Sequence, residues 1–165
     1  MIKKYPRTMM AIHWITLIAV ATAYITSGNP IKEPQLGTIH LLSGGTVFVL
    51  FCLRCIAFLA LHKDFPKNQI LGKFQHFAFK SVKVLLYALL IIVPVSGFIA
   101  LSSITQHYVF FGLNLPLIFS VYGIHGLGNI HQVLGNIFIY LVGLHACAAL
   151  FHHFVVKDNV LKSML

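Results

Sequence analysis

Ten histidines stand in a chain of 165 residues that is only 9% charged, and they are the residues here that could do chemistry. Imidazole binds metals and shuttles protons, and two imidazoles facing each other supply both axial ligands of a haem iron. Four of the ten, His13, His40, His131 and His145, fall inside long apolar segments. An ionisable side chain is costly there and marks a functional site by default. The others belong to connections or segment ends: His62 and His76 in one, His107 and His125 in another, and His152 and His153 near the C-terminus.

Spacing sorts the four embedded histidines by depth. His145 follows His131 by fourteen residues, about 21 Å and nearly four turns of helix, so the two share a face near opposite membrane surfaces. His40 lies about one turn into its segment from the surface near His131, and His13 about one turn in from the other. Equal depth pairs His40 with His131 and His13 with His145, two sites each able to hold one b haem non-covalently between helices. A single four-histidine ion is excluded by the same separation. Two zinc sites of two histidines each would lack further ligands, because Glu33, Asp64 and Asp158 all lie outside the apolar segments. Four histidines satisfied merely by neighbouring helices are the structural alternative.

Small residues recur beside the pairs. Gly44, Gly135 and Ala149 each follow a paired histidine by four positions, one turn along the same face, where a large side chain would collide with a flat macrocycle. Small residues also let membrane helices approach closely for packing alone. Arg54 follows His40 by fourteen residues; it is either a partner for a haem propionate or an arginine reaching to the interface. His152, seven residues past His145, is a candidate quinone contact or an interfacial histidine. Cys52-Leu53-Arg54-Cys55 lacks the following histidine of a covalent haem attachment, since Ile56 stands there. With Cys147 these cysteines lie in apolar segments and do not read as a disulfide framework.

The elements that must position these groups are four apolar spans, near Met9–Ser27, Thr38–Leu61, Val82–Leu101 and Leu127–Phe154. The chain is 58% hydrophobic, with a mean hydropathy of +0.87, which excludes the charged surface of a soluble domain. A basic start before an apolar run resembles a secretory signal, but its removal would discard His13 and Trp14, so the first helix is expected to be retained. The net charge of +9 is no nucleic-acid footprint, because the basic residues are spread between spans. Lys3, Lys4, Arg7, Arg54, Lys63, Lys67, Lys73, Lys80, Lys83, Lys157 and Lys162 fall on one side, and only Lys32, beside Glu33, on the other. The expected fold is therefore an all-α integral membrane protein: one domain over residues 1–165, a four-transmembrane-helix bundle with both termini cytoplasmic. The connection from Ser102 to Gly126 carries no Lys or Arg. Its stretch Tyr108–Phe119 is too short to span and is expected to lie along the outer interface or cap the bundle.

From end to end the chain resembles the bacterial cytochrome b561 family of di-haem membrane cytochromes. The likeness is carried by Ile12-His13-Trp14, by Ile39-His40 with Gly44 and Arg54, and by Phe111-Gly112-Leu113 with Pro116. The closing stretch matches most specifically: Gly143-Leu144-His145-Ala146, Ala148-Ala149-Leu150, His152-His153 and Lys157-Asp158-Asn159. The resemblance implies haem ligation by His13 with His145 and by His40 with His131, matching the depth pairing. It also implies a bacterial inner-membrane location and electron transfer from an outer-face donor to ubiquinone, in one branch as a superoxide oxidase. A haem-bearing anchor that passes electrons for a separate dehydrogenase or hydrogenase is the alternative. The chain departs from the family pattern in having Lys80 and Lys83 where histidines are usual, and no basic residue in the outer connection to attract an anion.

Overall fold

A computed structural model describes residues 3–28, 31–66, 72–110, 113–117, 121–158 and 160–165. Among these residues the chain forms helices α1 (Arg7–Ile25), α2 (Pro34–Leu61), α3 (Lys73–Ile104) and α4 (Leu127–Phe151). All four are long and apolar enough to cross a membrane.

Why these segments are helical follows from what lipid demands. A backbone in hydrocarbon must satisfy its own polar groups, and an α-helix does so within one segment. The hydroxyls follow the same rule: Thr16 donates to the Ile12 carbonyl at 2.6 Å, Thr46 to Leu42 at 2.8 Å and Ser102 to Phe98 at 2.9 Å. Pro34 opens α2, where its missing N–H costs no intrahelical bond. At the start of α3 the Gln75 side chain accepts the Gly72 N–H at 3.1 Å. This helix begins nine residues before the expected Val82, at Lys73. Lysines at 73, 80 and 83 are barred from hydrocarbon but not from helix, so α3 runs on beyond its apolar span.

Packing is closest within two helix pairs, α1 against α2 and α3 against α4, with a lesser contact between α2 and α3. Met9, Ile12, Val47, Leu50, Leu89, Leu90 and Phe138 form the shared core. Phe138 is the buried residue of α4. Outward-facing Ile18, Leu59 and Tyr140 are among many large apolar side chains left exposed, the surface a bilayer covers.

The connection between α3 and α4 holds a hairpin that hydropathy did not reveal. Strands β1 (His107–Phe110) and β2 (Leu113–Pro116) pair antiparallel, with His107 opposite Pro116. The Tyr108 hydroxyl lies 3.3 Å from Thr38 in the first turns of α2, and the Gly123 N–H reaches the Ser103 carbonyl at 3.0 Å. The hairpin thus rests on the bundle end far from the termini. Phe111, Gly112 and Phe119 of this stretch, with Lys67 and Asn159 elsewhere, lie outside the described residues.

At the other end the termini meet. The Tyr5 N–H donates to the Ser163 carbonyl at 3.0 Å and the Trp14 indole to the Met164 carbonyl at 3.1 Å. Phe65 packs edge-on against Tyr5 and Phe58, with ring centres 5.0 and 5.7 Å away.

Candidate functional site

The four embedded histidines meet in the pairs that depth predicts. His40 of α2 faces His131 of α4 with ring centres 5.9 Å apart, and His13 of α1 faces His145 of α4 at 6.4 Å. A metal–imidazole bond of about 2 Å, with each ring centre about 1.2 Å behind its nitrogen, puts two axial imidazoles of one iron about 6.4 Å centre to centre. Both separations are close to that value. The histidines face each other across the interval between the α1/α2 pair and the α3/α4 pair.

In the His40–His131 pair the second ring nitrogens are spoken for. Helix α1 ends near Ala23, and the Ser27 N–H goes to Tyr24 at 3.2 Å instead of to Ala23. The Ala23 carbonyl is one of the acceptors a helix end leaves over, and His40 Nδ1 takes it at 2.8 Å. Since a carbonyl only accepts, His40 Nδ1 carries the proton and Nε2 keeps its lone pair. His131 Nδ1 lies 3.1 Å from Ser96 Oγ, and Ser96 donates its own proton to the Val93 carbonyl at 2.8 Å. Ser96 therefore accepts from His131, and here too Nε2 is left for a metal. This is the outer support that ligand histidines use to fix tautomer and ring orientation. Close beneath, a Cβ on Gly97 would come within 2.8 Å of His131 Cε1.

The His13–His145 pair has a different neighbour. Arg54 Nη2 lies 3.2 Å from His13 Nδ1, and the guanidinium carbon sits 5.5 Å from the centre of the Tyr87 ring. Arg54 Nε is buried without a hydrogen-bond partner among the described residues. An unanswered guanidinium N–H beside a histidine pair is what a carboxylate-bearing macrocycle would engage. Nearby, the Tyr5 phenol is pushed above its usual range by burial first and then by Tyr87, while Arg54 pulls it down.

The residues beside the pairs fit a flat group. A Cβ placed on Gly44 or Gly135 would meet no atom within 4 Å, and Ala149 one turn past His145 is half-buried. Among the described residues no group of three or more His, Cys, Asp or Glu is arranged to hold an ion. Isolated histidine pairs, unanswered Arg54 Nε and small neighbours suit haem better than a compact metal site. Cys52, Cys55 and Cys147 are free thiols.

His152 lies outside both pairs. It opens a π-helical turn, His152–Val156, that prolongs α4, and its Nδ1 lies 2.5 Å from Asp158 Oδ2. Asp158 Oδ1 accepts the Val160 N–H at 3.0 Å, and the Asp158 N–H returns to the His152 carbonyl at 3.2 Å. Lys157 makes the reversal possible by adopting φ +58°. Reading the sequence missed Ser96, Gly97 and the pairing of Asp158 with His152. Adjacent Ser and Gly inside an apolar span were the available signal for the first two, and an acid six residues after His152 for the third.

The chain is similar to known proteins over nearly its whole length. The family model described as prokaryotic cytochrome b561 matches residues 4–165. A relative from Yersinia pestis, named probable superoxide oxidase CybB, is 30% identical over 99% of this chain and 96% of its own length. Cytochrome b561 homolog 1 of Escherichia coli K12 is 29% identical over 98% of this chain and 97% of its own.

Proposed function

The chain belongs to the prokaryotic cytochrome b561 family, and we propose that it carries electrons inward across the bacterial inner membrane, from superoxide at the outer face to ubiquinone at the inner. Family membership makes it a multi-pass membrane electron-transfer protein and implies haem b. The count of two haems, the direction and both substrates are the proposal. The observation that carries it is the pair of facing imidazoles at each end of the bundle, at 5.9 and 6.4 Å.

Haem iron between two imidazoles supplies one-electron chemistry. The protein's part is to hold and tune it. His40 and His131 bind on the outer side, held by the Ala23 carbonyl and by Ser96. His13 and His145 bind on the inner side, and Arg54 Nε takes a propionate there, answering an N–H that is otherwise unpaired. Two superoxide anions each give up one electron and leave as O2. A quinone at the inner face takes those two electrons and two protons, with His152 as its hydrogen-bonding contact. The half-buried His152, held by Asp158, can pass a proton from the aqueous side. Fixed basic residues concentrated in the terminal and middle connections support a cytoplasmic location for both termini.

A reduced-minus-oxidised spectrum with haem counted per chain tests the core of this reading. Two haems are expected, falling to one in His40→Ala and in His145→Ala. Fewer than two in fully loaded protein would overturn it. Rapid mixing with superoxide, with and without ubiquinone, then reads the substrates. Quinone-dependent consumption supports the oxidase, whereas no turnover without a co-purifying dehydrogenase or hydrogenase would make the chain an anchor.

A further inference from the structure

We propose that the start of α3 binds an anionic phospholipid, its phosphate held between Lys80 and Lys83 and an acyl chain lying along Val84 and Ile91. The inference goes beyond electron transfer and needs only that the chain spans a membrane. Helix α3 has 32 residues, about 48 Å of helix, whereas hydrocarbon about 30 Å thick takes about 20 residues. Counted back from Ile104, that length reaches Leu85. Lys83 then stands at the edge of the hydrocarbon and Lys80 about one turn outside it, at the depth of lipid headgroups.

His76, Lys80 and Lys83 share one face. Lys80 follows His76 by four positions and precedes Lys83 by three, the spacings that bring helix side chains together. All of them are exposed. Lys83 Nζ lies 5.9 Å from the centre of the Phe79 ring, which keeps its ammonium beside the helix. Two ammoniums one turn apart can share one phosphate. No acid stands in α3, and Asp64, the acid before it in the chain, sits in a turn beside Lys63. A zwitterionic headgroup would bring its own ammonium against theirs, so the charge of the face selects an anionic one.

The apolar row beneath the lysines favours a lipid over an acidic protein. Val84 follows Lys80 by four positions and Ile91 follows Val84 by seven, one line running from headgroup depth into the hydrocarbon. Both are exposed. So is Phe77, seven positions before Val84, where an aromatic ring suits the interface. A headgroup at the top and a chain along this line match an amphiphile, whereas a water-soluble partner could use only the upper part. Tyr87, four positions past Lys83, lies 5.5 Å from the Arg54 guanidinium carbon, which seats the site where α3 meets α2.

Native mass spectrometry of the detergent-solubilised protein, titrated with phosphatidylglycerol and separately with phosphatidylcholine, tests this. Wild type should retain phosphatidylglycerol at a concentration about tenfold or more below that needed for phosphatidylcholine. A lysine at the membrane surface is worth about 5-fold in affinity for an anionic lipid. Lys80→Gln combined with Lys83→Gln should therefore weaken phosphatidylglycerol binding about 25-fold and leave phosphatidylcholine unchanged. Lys3→Gln combined with Lys4→Gln removes the same charge from the same side and should change binding less than about 3-fold. Equal losses in the two double variants would reduce the effect to diffuse attraction and overturn the site. So would an α3 variant that binds like wild type, or a wild type with no preference for phosphatidylglycerol. Millimolar inorganic phosphate should not displace the lipid; displacement would mean that the lysines take a free phosphate and that the apolar row contributes nothing. Lysines beside a span also guide insertion, so Lys80→Arg combined with Lys83→Arg keeps the charge and should bind within about 3-fold of wild type. Should the double glutamine variant fail to insert, Lys80→Gln alone, expected to bind about 5-fold more weakly, decides the matter. None of these readouts depends on haem count or turnover, so their failure is distinct from failure of the electron-transfer reading.

Discussion

His131 shows how much the pose of one paired histidine depends on neighbours outside the pair. Its ring stands against α3, with Nδ1 on Ser96 and Cε1 within 2.8 Å of where a Gly97 side chain would begin. A distance under 3 Å to a ring that is itself held by a hydrogen bond leaves nowhere for a larger side chain to go. Gly97→Val should therefore turn His131 away from His40. The expected outcome is a membrane-inserted protein with one haem per chain instead of two, measured by haem extraction and quantification; two retained haems would show that the close approach does not constrain the ring. The four histidines themselves were readable from sequence, because an ionisable residue in an apolar span announces itself. Ser96 and Gly97 were not. Both are ordinary residues of membrane helices, and His131 comes thirty-five positions after Ser96, a meeting that only the pairing of α3 with α4 creates.

Among the elements, the spans were readable and the irregular pieces between them were not. Hydropathy reports where hydrocarbon begins and ends, so it finds the apolar spans but not the stretch from Lys73 by which α3 runs on before its own. The β1–β2 hairpin was hidden because its strands are four residues each, too short for a period to stand out from an apolar stretch. The π-helical turn at His152–Val156 was hidden for a related reason, since an extra residue per turn leaves no mark on composition. That turn has a consequence for function. It brings the chain back so that Asp158 clamps His152 while capping Val160, about two turns beyond His145. In Asp158→Asn the clamp weakens and the histidine pairs are untouched. Haem content and spectra should match wild type while quinone reduction slows about 10-fold to 100-fold, the range seen when the partner that orients a working histidine is lost. Stopped-flow haem reoxidation by a soluble quinone analogue reads this directly. An unchanged rate would leave Asp158 as a helix-end cap alone.

For the whole molecule, charge asymmetry is the property that sequence and fold express together. Eleven of the twelve Lys and Arg residues lie to one side by the order of the spans, and the structure gathers both termini at that end, with Tyr5 bonded to Ser163. In the proposed orientation the basic side faces the cytoplasm, so the surface that would receive the donor is nearly without fixed positive charge. An enzyme that steers an anion with a charged funnel gains about 10-fold to 1000-fold in association rate at low salt and loses it as salt rises. Here His107 and His125 are the residues of the outer connection that could carry positive charge, and a neutral histidine steers nothing. The rate constant for oxidation of superoxide should accordingly change less than about twofold between low and near-molar salt, over which the screening length falls from about 30 to about 3 Å. Pulse radiolysis of the detergent-solubilised protein across that range measures it at a pH where histidine is neutral. A steep decline with salt would mean that basic residues from the cytoplasmic side reach the donor, and the orientation of the bundle would have to be reversed.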